Sequence, residues 1–170
     1  MSERASEPFD TAASANAADK RQRGGGARNG VRLVRGAELS DVAEYAYAAV
    51  VEAPARFVFA AGACPLDENG ATVAVGDYAG QARQVMANLR TALREAGAEL
   101  TDVVKTTVFV VSAKQDDLVA AWEVVRDAFG DHDPPSTLLG VAALGYDDQL
   151  VEVEAIAVTR SQPRLSEGTW

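Results

Sequence analysis

Glu152 and Glu154 are separated by one residue in the apolar run LVEVEAIAV (150–158), so an extended chain projects both carboxylates from one face. Burying a carboxylate costs free energy unless a partner comes with it. Either both are solvated at a strand edge or bind backbone amides, or one faces a pocket and moves protons as a general acid or base. Cys64 ends the run AGAC before Pro65. A nucleophilic thiol needs a base or a positive field to ionise, and no histidine lies near it in sequence, so Cys64 reads first as a small apolar side chain. His132 stands between two aspartates in DHDPP and reads as an exposed loop residue rather than a base. Trp122, at helical spacing, reads as core. Glycine-rich phosphate loops, nucleophile elbows and HExxH patterns are absent from the sequence.

These groups must be placed by a chain of 170 residues, the size of one domain, with 16 basic and 25 acidic residues and a formal charge of −9. That surplus opposes nucleic-acid binding, which needs clustered lysine and arginine. One cysteine cannot close an internal disulfide, and with one histidine it cannot build a soft-ligand zinc site. No apolar run approaches the roughly 18 residues of a membrane span, and the N-terminus lacks the apolar core of a secretory signal. The chain therefore reads as cytoplasmic, with no metal, no membrane contact and no nucleic-acid partner.

Residues 1–30 are rich in Ala, Ser, Gly and Asn, with few large apolar side chains. They cannot bury enough surface to offset the entropy of ordering and read as a disordered leader. The leader holds five basic and four acidic residues, leaving 11 basic and 21 acidic for the remainder. A single domain is expected over 31–160, with a short tail over 161–170.

Within that body, the apolar runs 45–51 and 56–62 flank Pro54 and predict a hairpin. The DENG of 67–70 predicts a turn. A long helix follows, capped by Asp77, with Tyr78, Ala82, Val85, Leu89, Ala92 and Ala96 at helical spacing and Gly97 as its left-handed stop. The β-branched run 102–112 predicts a central strand, and 116–129 a second helix carrying Leu118, Ala121, Trp122, Val125 and Phe129 on one stripe. Strands over 138–144 and 150–158 complete the order β-β-α-β-α-β-β. Two helices on one face of a mixed sheet leave the other face open, and an apolar open face buries itself against another copy of the chain.

Four stretches in order, AGACPLDENG (61–70), QARQVMANLRTALREAGAELTDVVKTTVFV (81–110), PPSTLLGVAAL (134–144) and LVEVEAIAV (150–158), resemble the Rid/YjgF family, also called endoribonuclease L-PSP. The resemblance implies a chorismate-mutase-like α+β fold assembled as a homotrimer, with small-molecule clefts between subunits. It also implies cofactor-free hydrolysis of enamines and imines such as 2-iminopropanoate. The family's glutamate falls on Glu152. Its carboxylate-binding arginine falls on Thr137, which has one hydroxyl and no charge and cannot replace a bidentate guanidinium. The family's Ser-Gly-Gln loop reads Ala61, Gly62, Ala63, its first-strand tyrosine survives as Tyr45, with Tyr47 as the alternative register, and an asparagine of the second helix becomes Trp122. The implied cleft thus comprises Glu152, Thr137, Tyr45, Gly62, Ala63, Cys64 and Trp122. It is less polar than usual and suited to an altered substrate, with a non-catalytic binding trimer as the alternative. Arg56 and Lys105 are the nearest cations that could stand in for the arginine.

Overall fold

Asp77 caps the first long helix, its Oδ1 accepting from the Gly80 N–H at 2.9 Å, and helix α1 runs Tyr78–Glu95. Its apolar positions bury Ala82, Val85, Met86, Leu89 and Leu93. It ends as Gly97 predicted: Gly97 has φ of 74°, its N–H donates to Arg94 O, and the Ala98 N–H donates to Leu93 O. The computed structural model describes residues 30–35, 45–52 and 54–160. The expected leader, apart from Gly30, and the expected tail lie outside the described residues.

The strands are β1 (Val31–Val34), β2 (Ala48–Val51), β3 (Ala55–Ala63), β4 (Val103–Val110), β5 (Ser136–Gly140) and β6 (Val151–Arg160), with helix α2 at Gln115–Phe129 between β4 and β5. Four strands form one sheet in the order β3-β6-β4-β5. Only the β4–β5 pair, joined through α2, is parallel. The ladders β3–β6 and β6–β4 are antiparallel, so β6, which carries Glu152 and Glu154, is a central strand rather than an edge.

Two expectations need correction. The hairpin between 45–51 and 56–62 does not form: β2 pairs antiparallel with β1, Val31 facing Val51, while β3 pairs with β6. Pro54 fixes φ and lacks an N–H, so it leads the chain from one ladder into another instead of closing a tight turn. The strand expected over 138–144 begins earlier and stops at Gly140. Its start is held by the Thr106–Ser136 hydroxyl pair at 2.7 Å. A Cβ added at Gly140 would lie 2.5 Å from Ser112 O, so only glycine allows that approach. The β1–β2 pair is tied to the approach to β5 by the Arg35–Asp133 ion pair and by Ala46 N–H to Asp133 O at 3.0 Å.

Alternation divides the sheet. Val108 and Val110 of β4 and Val151, Val153, Ala155 and Ala157 of β6 are buried with the apolar stripes of α1 and α2. The residues between them, Lys105, Thr107, Phe109, Glu152, Glu154 and Ile156, lie on the helix-free face. On that face Phe57 and Phe59 stack at 6.3 Å between centroids, and Phe59 is 73% exposed.

Candidate active site

Glu152 takes its position from three directions. It faces Phe109 across the β4–β6 ladder. On its other side β3 changes register between Ala60 and Ala63, a bulge that brings Gly62 beneath the carboxyl group. A Cβ at position 62 would fall 1.9 Å from Glu152 Oε1, so the site of the acid oxygen exists only because residue 62 is glycine. The third direction is the turn before β6. Gln149, 4% exposed, donates through Nε2 to Glu152 Oε2 at 3.0 Å.

Cys64 completes the cluster. Its Sγ lies 3.6 Å from Glu152 Oε2 and 3.6 Å from Gly62 O. Burial first, and then the Glu152 charge, push the thiol pKa above its ordinary value. The thiol is therefore a donor at neutral pH and not an activated nucleophile, in line with its inert reading.

Helix α1 anchors both segments that bear on Glu152. Gln81, fully buried, donates to Asp148 O at 2.8 Å and accepts from the Leu150 N–H at 2.7 Å. One turn and then two along the same stripe, Gln84 donates to Leu66 O at 3.3 Å, and Asn88 donates to Cys64 O and Leu66 O at 2.8 and 2.9 Å. A helix face that seals the core below thus holds the Cys64 loop and the Gln149 turn at its margin.

The remaining expected site residues divide. Thr137 is exposed on the helix-free face, opposite Thr107, so it sits two residues along β4 from the row of Glu152. Its hydroxyl accepts from Lys105 Nζ at 2.5 Å. Burial lowers the Lys105 pKa, and no carboxylate pairs with this ammonium among the described residues. Arg56, the other cation considered, is engaged elsewhere, donating to Ala96 O at the end of α1 at 2.6 Å. Ala63 lies at the bulge beside Gly62. Tyr45 and Trp122 pack edge to face with each other at 5.9 Å. Trp122 belongs to the helical layer against the core, so within one protomer this pair is on the side of the sheet away from Glu152. His132 is not a free loop residue: its Nε2 contacts Val103 O at 2.7 Å and its ring lies 6.3 Å from Phe129.

Sequence reasoning missed Gln149 and Gln81. Their sole signal is polar residues at the ends of apolar segments, and nothing local marks which backbone or carboxyl group each will meet. Glu152 and Glu154 share a face as expected yet differ: Glu152 is half-buried with two donors, and Glu154 is exposed. Among the described residues no cluster of His, Cys, Asp or Glu could hold a metal ion, and no helix is long and apolar enough to cross a membrane.

Comparison with known proteins identifies the family. A RutC family protein of Pyrococcus abyssi is 38% identical over 102 residues, covering 60% of this chain and 78% of its own. The rat 2-iminobutanoate/2-iminopropanoate deaminase is 32% identical over 117 residues, covering 69% and 81%. The crystal structure of the Rid family protein YyfB of Yersinia pestis superposes with a TM-score of 0.68 at 29% identity, covering 75% of this chain and 98% of that one. E. coli TdcF with bound serine superposes at 0.54 with 30% identity, covering 75% and 94%. Residues 37–159 match the family described as Endoribonuclease L-PSP, and the chain belongs to that family, the Rid/YjgF group.

Proposed function

We propose that this protein is a Rid-type hydrolase that converts a small imine or enamine to the corresponding carbonyl compound and ammonia, in clefts formed between three copies of the chain. The observation that carries the reading is the Glu152 cradle: a half-buried carboxyl with Oε2 held by two donors and Oε1 lying over a glycine. Such a group is fixed in place and can exchange protons with a small molecule above the sheet. Water adds to the C=N carbon as Glu152 takes its proton. Glu152 returns that proton to the nitrogen to give a carbinolamine, then relays the hydroxyl proton to the nitrogen as the C–N bond breaks, and ammonia leaves behind a C=O group. The balance needs water alone, with no oxidant, reductant or group donor.

The relatives support the class of ligand. One is named for two short 2-imino acids and another is described with serine bound. The other end of the substrate is where this chain diverges, because Thr137 with Lys105 stands where an arginine is expected. The family's ribonuclease label finds no support in a chain of formal charge −9.

The test is ammonia release by the purified protein from 2-iminobutanoate and 2-iminopropanoate generated in situ, with semicarbazide as the competing trap. Turnover should disappear in Glu152→Gln. It should fall about a hundredfold in Gly62→Ala, whose methyl displaces the acid by an ångström or more. Saturable binding of short amino or oxo acids without turnover would favour a binding trimer instead, the reading that the serine-bound relative supports.

A further inference from the structure

The two oxygens of Glu152 are held unequally. Oε2 accepts from Gln149 Nε2 at 3.0 Å and lies 3.6 Å from Cys64 Sγ, whereas no donor of the described residues reaches Oε1. The Gln149 amide is fixed in orientation. Its Oε1 accepts from the Tyr146 N–H at 3.1 Å and its Nε2 also faces Val151 O at 3.3 Å. Flipping the amide would set oxygen against oxygen at Val151 and Glu152 and two donors against each other at Tyr146. The thiol is not fixed in this way. It has one proton and two acceptors at the same distance, Glu152 Oε2 and Gly62 O.

We infer that Gln149 and Cys64 are positioning residues for Glu152: their donors occupy Oε2, so that Oε1, over Gly62, is the oxygen that exchanges the proton. A proton on Oε2 would point at donors, while a proton on Oε1 faces no donor among the described residues. The thiol proton turns to Oε2 when the carboxyl is charged and to the Gly62 carbonyl when it is neutral. This keeps the ionised form supported without hindering the protonated one. The raised thiol pKa agrees with a sulfur that keeps its proton throughout. The kinetic part of this inference rests on the hydrolase reading, and the spectroscopic part does not.

Cys64 is the sole cysteine of the chain, so the infrared S–H stretch of the full-length protein reports this thiol and nothing else. The band should lie lower in the wild type than in Glu152→Met and Glu152→Gln, where the thiol turns to the Gly62 carbonyl. An identical band in all three would overturn the assignment. In imine hydrolysis, Cys64→Ala should lower kcat severalfold with KM unchanged, Cys64→Ser should recover most of it, and Gln149→Leu should lose on the order of tenfold. Wild-type turnover that Cys64→Ala and Gln149→Leu leave unaltered would sink the positioning role while leaving the hydrolase reading intact. Absence of turnover in the wild type would sink the hydrolase reading, and the S–H band would still decide the geometry.

Discussion

At Thr137 the chain has exchanged a guanidinium for a hydroxyl, and the hydroxyl is occupied by the Lys105 ammonium at 2.5 Å. A cation therefore remains near the expected carboxylate subsite, delivered from β4 instead of β5. It is a single-point charge without the two-pronged geometry of arginine. If Lys105 grips the substrate, Lys105→Met should raise KM for 2-iminopropanoate about tenfold with kcat nearly unchanged, since a grip equal in ground and transition states affects binding alone. Thr137→Arg should increase hydrolysis, and more so in the Lys105→Met background, where two like charges no longer compete. The gain should stay below that of arginine-bearing relatives because Ala61 and Ala63 supply no polar side chain. Steady-state kinetics of the four proteins check this, and a Lys105→Met enzyme with wild-type KM would remove Lys105 from the site. Cys64 offers a second readout. Burial and the Glu152 charge raise its pKa, so alkylation should follow a midpoint above that of an unstructured cysteine. Glu152→Gln removes one of the two causes and should move that midpoint down, measured as iodoacetamide rate against pH.

Helix α1 is the element on which the site depends, and it was also the most legible part of the sequence. Asp77, the apolar stripe and Gly97 are local signals that act on neighbouring backbone, so a reader of the sequence sees cap, face and stop together. The hairpin expected after residue 45 failed for the opposite reason. Strand partners are chosen by distant segments, and neither Val31–Val34 as the partner of β2 nor β6 as the partner of β3 is encoded near Pro54. Glu152 could be picked out because a carboxylate in an apolar strand violates a local rule, but its partners obey none. Gln81 shows the cost of such hidden pairing. It is fully buried, and Gln81→Leu would strand the Asp148 carbonyl and the Leu150 N–H. Leaving these groups unsatisfied should cost about 2–3 kcal/mol, which lowers the melting temperature by several degrees. Because Leu150 adjoins Gln149, the same substitution should also speed exchange of the Leu150 amide and reduce turnover. Normal exchange at Leu150 would show that the turn holds itself without the helix.

Across the whole molecule the unbalanced feature is the helix-free side of the sheet. Phe57 is 52% exposed, Phe59 73% and Leu139 43%, on a face that also carries Phe109 and Ile156. The other face is sealed by α1 and α2 and needs nothing further. An apolar patch of this kind on a single protomer drives association; closed symmetric assemblies of identical copies are its usual outcome, and the family resemblance implies three. The proposed assembly would also bring a neighbour's surface over Glu152, Lys105 and Thr137, which in one protomer have no second layer above them on the helix-free face. It would thereby supply the wall and the exclusion of water that the chemistry calls for. The expected solution mass is about three times the 17.9 kDa of the chain, read by light scattering. Phe59→Asp places a charge on this exposed patch, where the proposed assembly would strip its solvation without supplying a partner. It should yield folded protomers with native far-ultraviolet dichroism, a mass near that of one chain, and no imine hydrolysis. A wild type that is a folded monomer at micromolar concentration and still turns over substrate would overturn the shared cleft. In that case the exposed phenylalanines would have to be accounted for by some other partner, and Glu152 would act from an open sheet.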